Sequence, residues 1–228
     1  MAVRAATVLT GGLLALAVAG CSTAPQQVRR SVPLRANPSA VIAAELALAR
    51  AAQESGQWTA FAQAAADGAV MLAPEPVDAK AWLKGHANPA QALHWQPHSV
   101  WSSCDGSIAV TRGAWQRPDM STGYFVAVWQ RQADDSFKWL LKADEALPQP
   151  LARPDLTSAV VADCGKAEHP AAAPHESAAY VKQGEANDGT LTWHFATAPG
   201  QPVALAVDLW RAGQMQRIQI APLAEGTR

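Results

Sequence analysis

Glu45 interrupts an apolar face. Val41 lies four residues before it and Leu48 three after, so on a helix all three share one side. A carboxylate at that position is either held by a cation reaching inward, for which Arg112 is a candidate, or placed at a helix edge in water. His94 and His98 stand four apart, a spacing that chelates a metal on a helix. Pro97 and the alternation around them put the pair on a strand instead, where residues four apart are about 13 Å distant, too far to share an ion. Glu168, His169, His175 and Glu176 flank a PAAAP segment and read either as a loose chelate or as a solvated loop. The sequence holds no Gly-rich phosphate loop, no G-x-S-x-G elbow and no zinc-binding cysteine set. No cofactor or metal is expected.

Three cysteines carry the remaining chemistry. The first, Cys21, closes the stretch LLALAVAGCSTAP. An apolar run from Ala5 to Ala19 behind Arg4 is shorter than the about 20 residues a membrane span needs, and small residues end it, as in a cleaved secretory signal. Val18-Ala19-Gly20-Cys21 resembles the lipobox of bacterial lipoproteins. That likeness implies cleavage before Cys21, a diacylglycerol thioether on its sulfur and acylation of its new amino group. Several chains at about 0.8 kcal/mol per buried methylene anchor firmly where one would not. The alternative is an ordinary secretory signal with an incidental cysteine. Ser22 resembles the outer-membrane sorting pattern, so the address expected is the bacterial cell envelope, lipid-anchored at the outer membrane and facing the periplasm. Cys104 and Cys164 then form an even pair in an oxidising compartment, read as a disulfide over two free thiols. By the chain-entropy model such a bridge, closing a loop of about 60 residues, is worth roughly 4 kcal/mol.

Charge argues against one class of partner. Without Arg4 the chain keeps 17 basic and 19 acidic side chains, scattered rather than clustered, which leaves no footprint for nucleic acid. Of nine tryptophans, seven fall between Trp58 and Trp139, which calls for a large core, an aromatic-lined cavity, or both.

The elements that must position these groups follow from periodicity. Residues 1–20 are the signal and 21–36, rich in Gln, Ser, Pro and Arg, a flexible tether. Asn37-Pro38 starts a helix carrying Val41, Ala44, Leu48 and Ala51 on one face, ended by Ser55-Gly56. Trp58 to Ala66 form a second, short helix. Residues 69–72 are a strand and Val77 to Leu83 a helical turn. The period then changes to two. Leu93–Ser103 and Ile108–Trp115 form a hairpin across Asp105-Gly106, and Tyr124–Gln132 and Phe137–Ala143 form another. Residues 147–187, rich in Pro and Ala, read as a linker. Residues 188–228 read as a C-terminal β-meander of three strands. The class expected is α+β, with N-terminal helices covering one face of a curved antiparallel sheet.

The stretch GQWTAF…AVMLAPEPVDAKAWLKG…SVWSSCDGSIAVTRGAWQ…GYFVAVWQRQ…FKWLLKADE, residues 56 to 145, resembles the NTF2-like superfamily, and within it the SnoaL-like or DUF4440-type domains of exported bacterial proteins. The resemblance implies a cystatin-like cone over residues 37–146, with a pocket at its open end. Many proteins of this fold pair through the open face of the sheet, so a homodimer is implied as well. Enzymes of the superfamily place an Asp, His or Tyr in the apolar pocket for proton transfer, which makes Glu45, Tyr124 and Asp144 the catalytic candidates; each also reads structurally, Asp144 as a strand-end residue or loop cap. Trp58, Trp82, Trp101, Trp115, Trp129 and Trp139 are the ligand-binding candidates, or core. Alternation puts Phe125, Ala127 and Trp129 on one face and Tyr124, Val126 and Val128 on the other, without saying which looks into the cone.

Two functions are expected in order. The first is a non-catalytic module that binds an apolar small molecule or acts as an adaptor. The second is an enzyme of the dehydratase or isomerase type acting on a small apolar substrate in the same pocket. A third reading is a structural lipoprotein whose C-terminal meander docks an envelope partner through an apolar patch or open sheet edge.

Overall fold

The computed structural model describes residues 35–165 and 180–221. Cys21, its flanking signal and tether, and the Glu168–Glu176 cluster lie outside the described residues. No helix among the described residues is long and apolar enough to cross a membrane.

The chain builds an α+β structure of three layers. Helix α1 (Pro38–Ser55) opens at Asn37, whose side chain accepts the Ala40 amide at 3.3 Å, with proline directly after it. Gly56, at φ 96°, turns the chain straight into α2 (Gln57–Ala64). That helix has no capping side chain of its own. Asn88 supplies the cap from a distance, accepting the amides of Trp58 at 2.7 Å and Thr59 at 3.1 Å. Strand β1 (Ala65–Leu72) follows without a break, starting earlier than the expected residues 69–72; then come β2 (Pro76–Asp78) and α3 (Ala79–Lys84).

Four long antiparallel strands come next: β3 (His94–Ser102), β4 (Ile108–Gln116), β5 (Thr122–Arg131) and β6 (Phe137–Leu147). Both expected hairpins are present. With β1 added parallel to β6, and β7 (Ser158–Val161) parallel to β3, the sheet has seven strands in the order β2-β1-β6-β5-β4-β3-β7. Register shifts interrupt it between Pro97 and Ser99, between Val128 and Trp129, and between Ala65 and Val70. Such bulges bend a strand and turn its side chains.

The segment 147–187 is less of a linker than its composition suggests. It holds β7 and the start of a second sheet made of β8 (Tyr180–Glu185), β9 (Leu191–Thr197), β10 (Ala204–Arg211) and β11 (Gln214–Ala221), antiparallel in the order β11-β10-β9-β8. The expected three-strand meander therefore gains a fourth strand. β7 is only four residues long and largely exposed, too short for a period to show. β8 reads as polar and contains Gly184, over which the Trp193 indole lies closely.

Both faces of the seven-stranded sheet are buried. Trp95, Val100, Ala109, Trp115, Phe125, Ala127, Trp129 and Trp139 pack with Val41, Leu48, Ala52 and Phe61 of the helices. Trp101, Ile108, Val110, Tyr124, Val126 and Val128 pack on the other side with Leu191, Trp193, Phe195, Leu205, Val207 and Leu209 of the second sheet. The second sheet thus covers this face of the large sheet. A disulfide joins Cys104 to Cys164, Cα atoms 5.2 Å apart across 60 residues of chain. Beside it Cys104 donates its amide to Thr190 Oγ1 at 2.8 Å, Asp105 its amide to Asp188 Oδ2 at 2.8 Å, and Asn187 its amide to Ser107 Oγ at 2.9 Å.

Candidate functional site

A cavity of about 410 Å³ opens on the helix side of the large sheet, between α2, α3 and strands β3 to β6. Its walls are aromatic. Trp58 and Phe61 project from α2, Trp82 from α3, Trp95 from β3, Trp115 from β4 and Phe125 from β5. The rings brace one another edge to face: Trp58 with Trp82 at 5.3 Å between centroids, Trp58 with Phe61 at 5.6 Å, and Phe61 with Trp95 at 5.7 Å. α2 is pinned over this space because Gln57 accepts the Leu93 amide at 3.0 Å and Gln53 of α1 donates to the Leu93 carbonyl at 2.9 Å.

Trp115 can lie flat against the sheet because its cross-strand partner is Gly123. A Cβ on Gly123 would run into the Trp115 ring and the Glu145 carbonyl. The indole is fixed in turn by its Nε1 donating to the Tyr124 carbonyl at 2.9 Å.

Charge enters the cavity at its floor and its mouth. Lys142, nearly buried, reaches from β6 into the floor. Its Nζ donates to Glu45 Oε1 at 3.1 Å and sits 5.2 Å from the Phe61 ring centroid, 5.3 Å from Phe125, 5.7 Å from Trp95 and 5.6 Å from Trp129. Glu45 is wholly buried behind it. Oε1 also accepts the Trp95 indole N–H at 2.8 Å, while Oε2 accepts Thr111 Oγ1 at 2.8 Å and the Trp129 indole N–H at 2.9 Å. Four donors occupy this carboxylate.

At the mouth, Arg117 stacks over the Trp115 ring at 4.2 Å and lies 3.5 Å from Asp144. Packing against the pocket wall pushes the Asp144 carboxyl up from its ordinary value and Arg117 draws it down; a side chain 42% exposed leaves water to limit the rise.

The candidates from sequence fall in different places. Glu45 is the buried anchor under the floor, and its cation is Lys142. Arg112 lies on the opposite face of the sheet, over the Trp101 ring and bonded to the Ile220 carbonyl at 3.4 Å, so it does not serve Glu45. Asp144 lines the cavity. Tyr124 does not: it faces the second sheet, where its hydroxyl donates to Glu145, and burial together with that carboxylate pushes its ionisation well above the ordinary range. The other Glu145 oxygen accepts the Val203 amide at 2.7 Å, so this group stitches the two sheets together. Trp58, Trp82 and Trp115 line the cavity, Trp129 and Trp139 are buried in the helix-side core, and Trp101 belongs to the inter-sheet core. His94 is exposed and His98 buried, and no cluster among the described residues could hold a metal.

Lys142 was not legible as a site residue. Strict alternation from Trp139, which faces the helices, puts Lys142 on the far side. The bulge pairs Trp129 with Trp139 but Val128 with Leu141, so one residue is skipped and Lys142 turns inward. The only available signal is a lone lysine inside the apolar run WLLKA.

No family model matches the chain, and no curated protein matches it. Among solved structures, the chain is similar to a candidate ketosteroid isomerase from Parabacteroides distasonis, at 14% identity and a TM-score of 0.39, over 51% of this chain and 97% of that one. It is similar as well to a candidate aromatic ring hydroxylase from Novosphingobium aromaticivorans, at 15% identity and a TM-score of 0.38, over 49% of this chain and 90% of the other. At this depth of likeness neither protein carries an argument about what this chain does.

Proposed function

We propose that this chain is a lipid-anchored protein of the bacterial cell envelope whose NTF2-like domain binds a small apolar or aromatic molecule in the helix-side pocket, without transforming it. The observation that carries the reading is the cavity itself: about 410 Å³ walled by rings from five elements, with its buried carboxylate fully engaged. The anchor rests on the VAGC sequence at Cys21, and the family reading on the residue 56–145 pattern together with the order of helices and strands.

Native mass spectrometry of the mature chain, released from its membrane, tests the binding. A retained small molecule that is lost on Trp58→Ala supports it, whereas an empty chain whose indole fluorescence no aromatic compound perturbs defeats it. The anchor has its own test: a radiolabelled fatty acid should enter the native chain and not Cys21→Ser.

Asp144 favours a second reading, because it is the one carboxylate among the described residues lining the cavity, and its proton is held more tightly than an ordinary aspartate's. There the protein is an acid–base enzyme of the dehydratase or isomerase type. Asp144→Asn would then abolish turnover while leaving affinity for the ligand intact.

A further inference from the structure

The floor of the pocket is asymmetric in a way that selects for charge. Glu45 has no exposed surface, and each of its oxygens is taken by two donors. Lys142 stands between it and the open space and is itself part of the lining. An ammonium has three N–H groups. One meets Glu45 Oε1 at 3.1 Å, and no other acceptor meets Nζ among the described residues. The cavity therefore faces hydrogen-bond donors that are not used up, backed by a carboxylate it cannot reach.

The rings around Nζ bear on the same question. Phe61, Trp95, Phe125 and Trp129 surround it at 5.2 to 5.7 Å, an arrangement that would suit a cationic ligand if it were empty. It is filled by the protein's own lysine, so a second cation would meet a like charge and no vacant ring face. At the mouth Arg117 adds another cation, 3.5 Å from Asp144, so the charged lining groups are two positive and one negative. A low-dielectric, ring-walled recess strengthens whatever field these groups produce.

We propose that the pocket is selective for planar organic monoanions, aryl carboxylates or phenolates whose ring system lies within the aromatic walls while the anionic oxygen accepts from Lys142 Nζ. This deepens the binding reading above and rests on it. A charge-assisted hydrogen bond in such a site is about twice as strong as a neutral one.

A matched series tests it: 2-naphthoate, 2-naphthamide and 2-naphthamidine share one ring system and differ in head-group charge. Titrated by indole fluorescence into the mature chain in lipid nanodiscs, the carboxylate should bind about tenfold more tightly than the amide, and the amidinium most weakly. In Lys142→Met the carboxylate should lose its advantage over the amide. Because that change leaves Glu45 without its cation, the double variant Lys142→Met, Glu45→Gln, which keeps an acceptor for the indoles, is measured beside it, with its melting curve as the check on folding. Equal or reversed preference among the three probes in the native chain overturns the proposal while leaving a ring-binding pocket in place. So does an anion preference that survives in either folded variant. Failure of all three probes to bind overturns the pocket reading itself.

Discussion

Glu45 binds together α1 and four strands at the pocket floor, so its loss should be felt as instability before it is felt as lost function. Glu45→Ala leaves Lys142 buried without an anion and the Trp95 indole N–H without its acceptor, while the Trp129 indole keeps Thr111 Oγ1 at 3.2 Å. Breaking a buried pair from one side costs roughly 3–5 kcal/mol, and urea unfolding followed by indole fluorescence should show a loss of that size. His98 gives the pH dependence. It is 6% exposed, its Nε2 has no partner among the described residues, and burial together with Arg112 and Arg153 holds its pKa below the ordinary 6.5. The folded chain therefore binds fewer protons there than the unfolded one just below pH 6.5. Stability from this group is level above 6.5 and declines as pH falls from 6.5 toward the folded value. Thermal melts from pH 8 to 5 should show that slope, and His98→Asn should flatten it. A separate decline belongs to lower pH. Asp119 and Asp134 are held below their ordinary 3.8 by the hydroxyl and amide of Ser121 and Ser136, so what they contribute is present above 3.8 and lost as pH falls through their folded values.

Among the elements, the hairpin of β4 and β5 does most to shape the pocket, through a single missing side chain. Gly123 lets Trp115 lie against the sheet, and Trp115 carries Arg117 on its face. Gly123→Ala should displace the indole, costing 1–3 kcal/mol of stability, about the usual range for overpacking, and weakening ligand titrations more than Tyr124→Phe, which alters only the inter-sheet side. The elements were largely legible in advance. Asn37-Pro38 marked α1, Asp105-Gly106 marked the first hairpin, and alternation sorted Phe125, Ala127 and Trp129 from Tyr124, Val126 and Val128. Lys142 escaped because a bulge changes the parity of a strand without changing its composition. β8 escaped because a polar strand bearing a glycine has little apolar signature, its stability lying in the Trp193 ring across from it.

For the molecule as a whole, the second sheet is the decisive feature. The Cys104–Cys164 bridge should be worth 2–5 kcal/mol, roughly, and its reduction, or the Cys104→Ser, Cys164→Ser pair, should lower the melting temperature without emptying the pocket, which lies on the other face. Truncation after residue 165 uncovers Trp101, Ile108, Val110, Val126 and Val128. The truncated chain is expected to self-associate or precipitate in size-exclusion chromatography, whereas the intact one keeps that face dry.

By its residues alone the chain determined its helices, its four long strands, a paired Cys104 and Cys164, and a surplus of indoles too large for an ordinary surface, since capping, turns and alternation act over a few neighbouring positions. Only the tertiary structure decided that Glu45 answers to Lys142 rather than Arg112, that Tyr124 turns away from the pocket, and that the chain's own last four strands cover the open sheet. Those outcomes depend on which face of a sheet meets which layer. That choice comes from bulges and from burial of segments far apart in sequence, which no local pattern records.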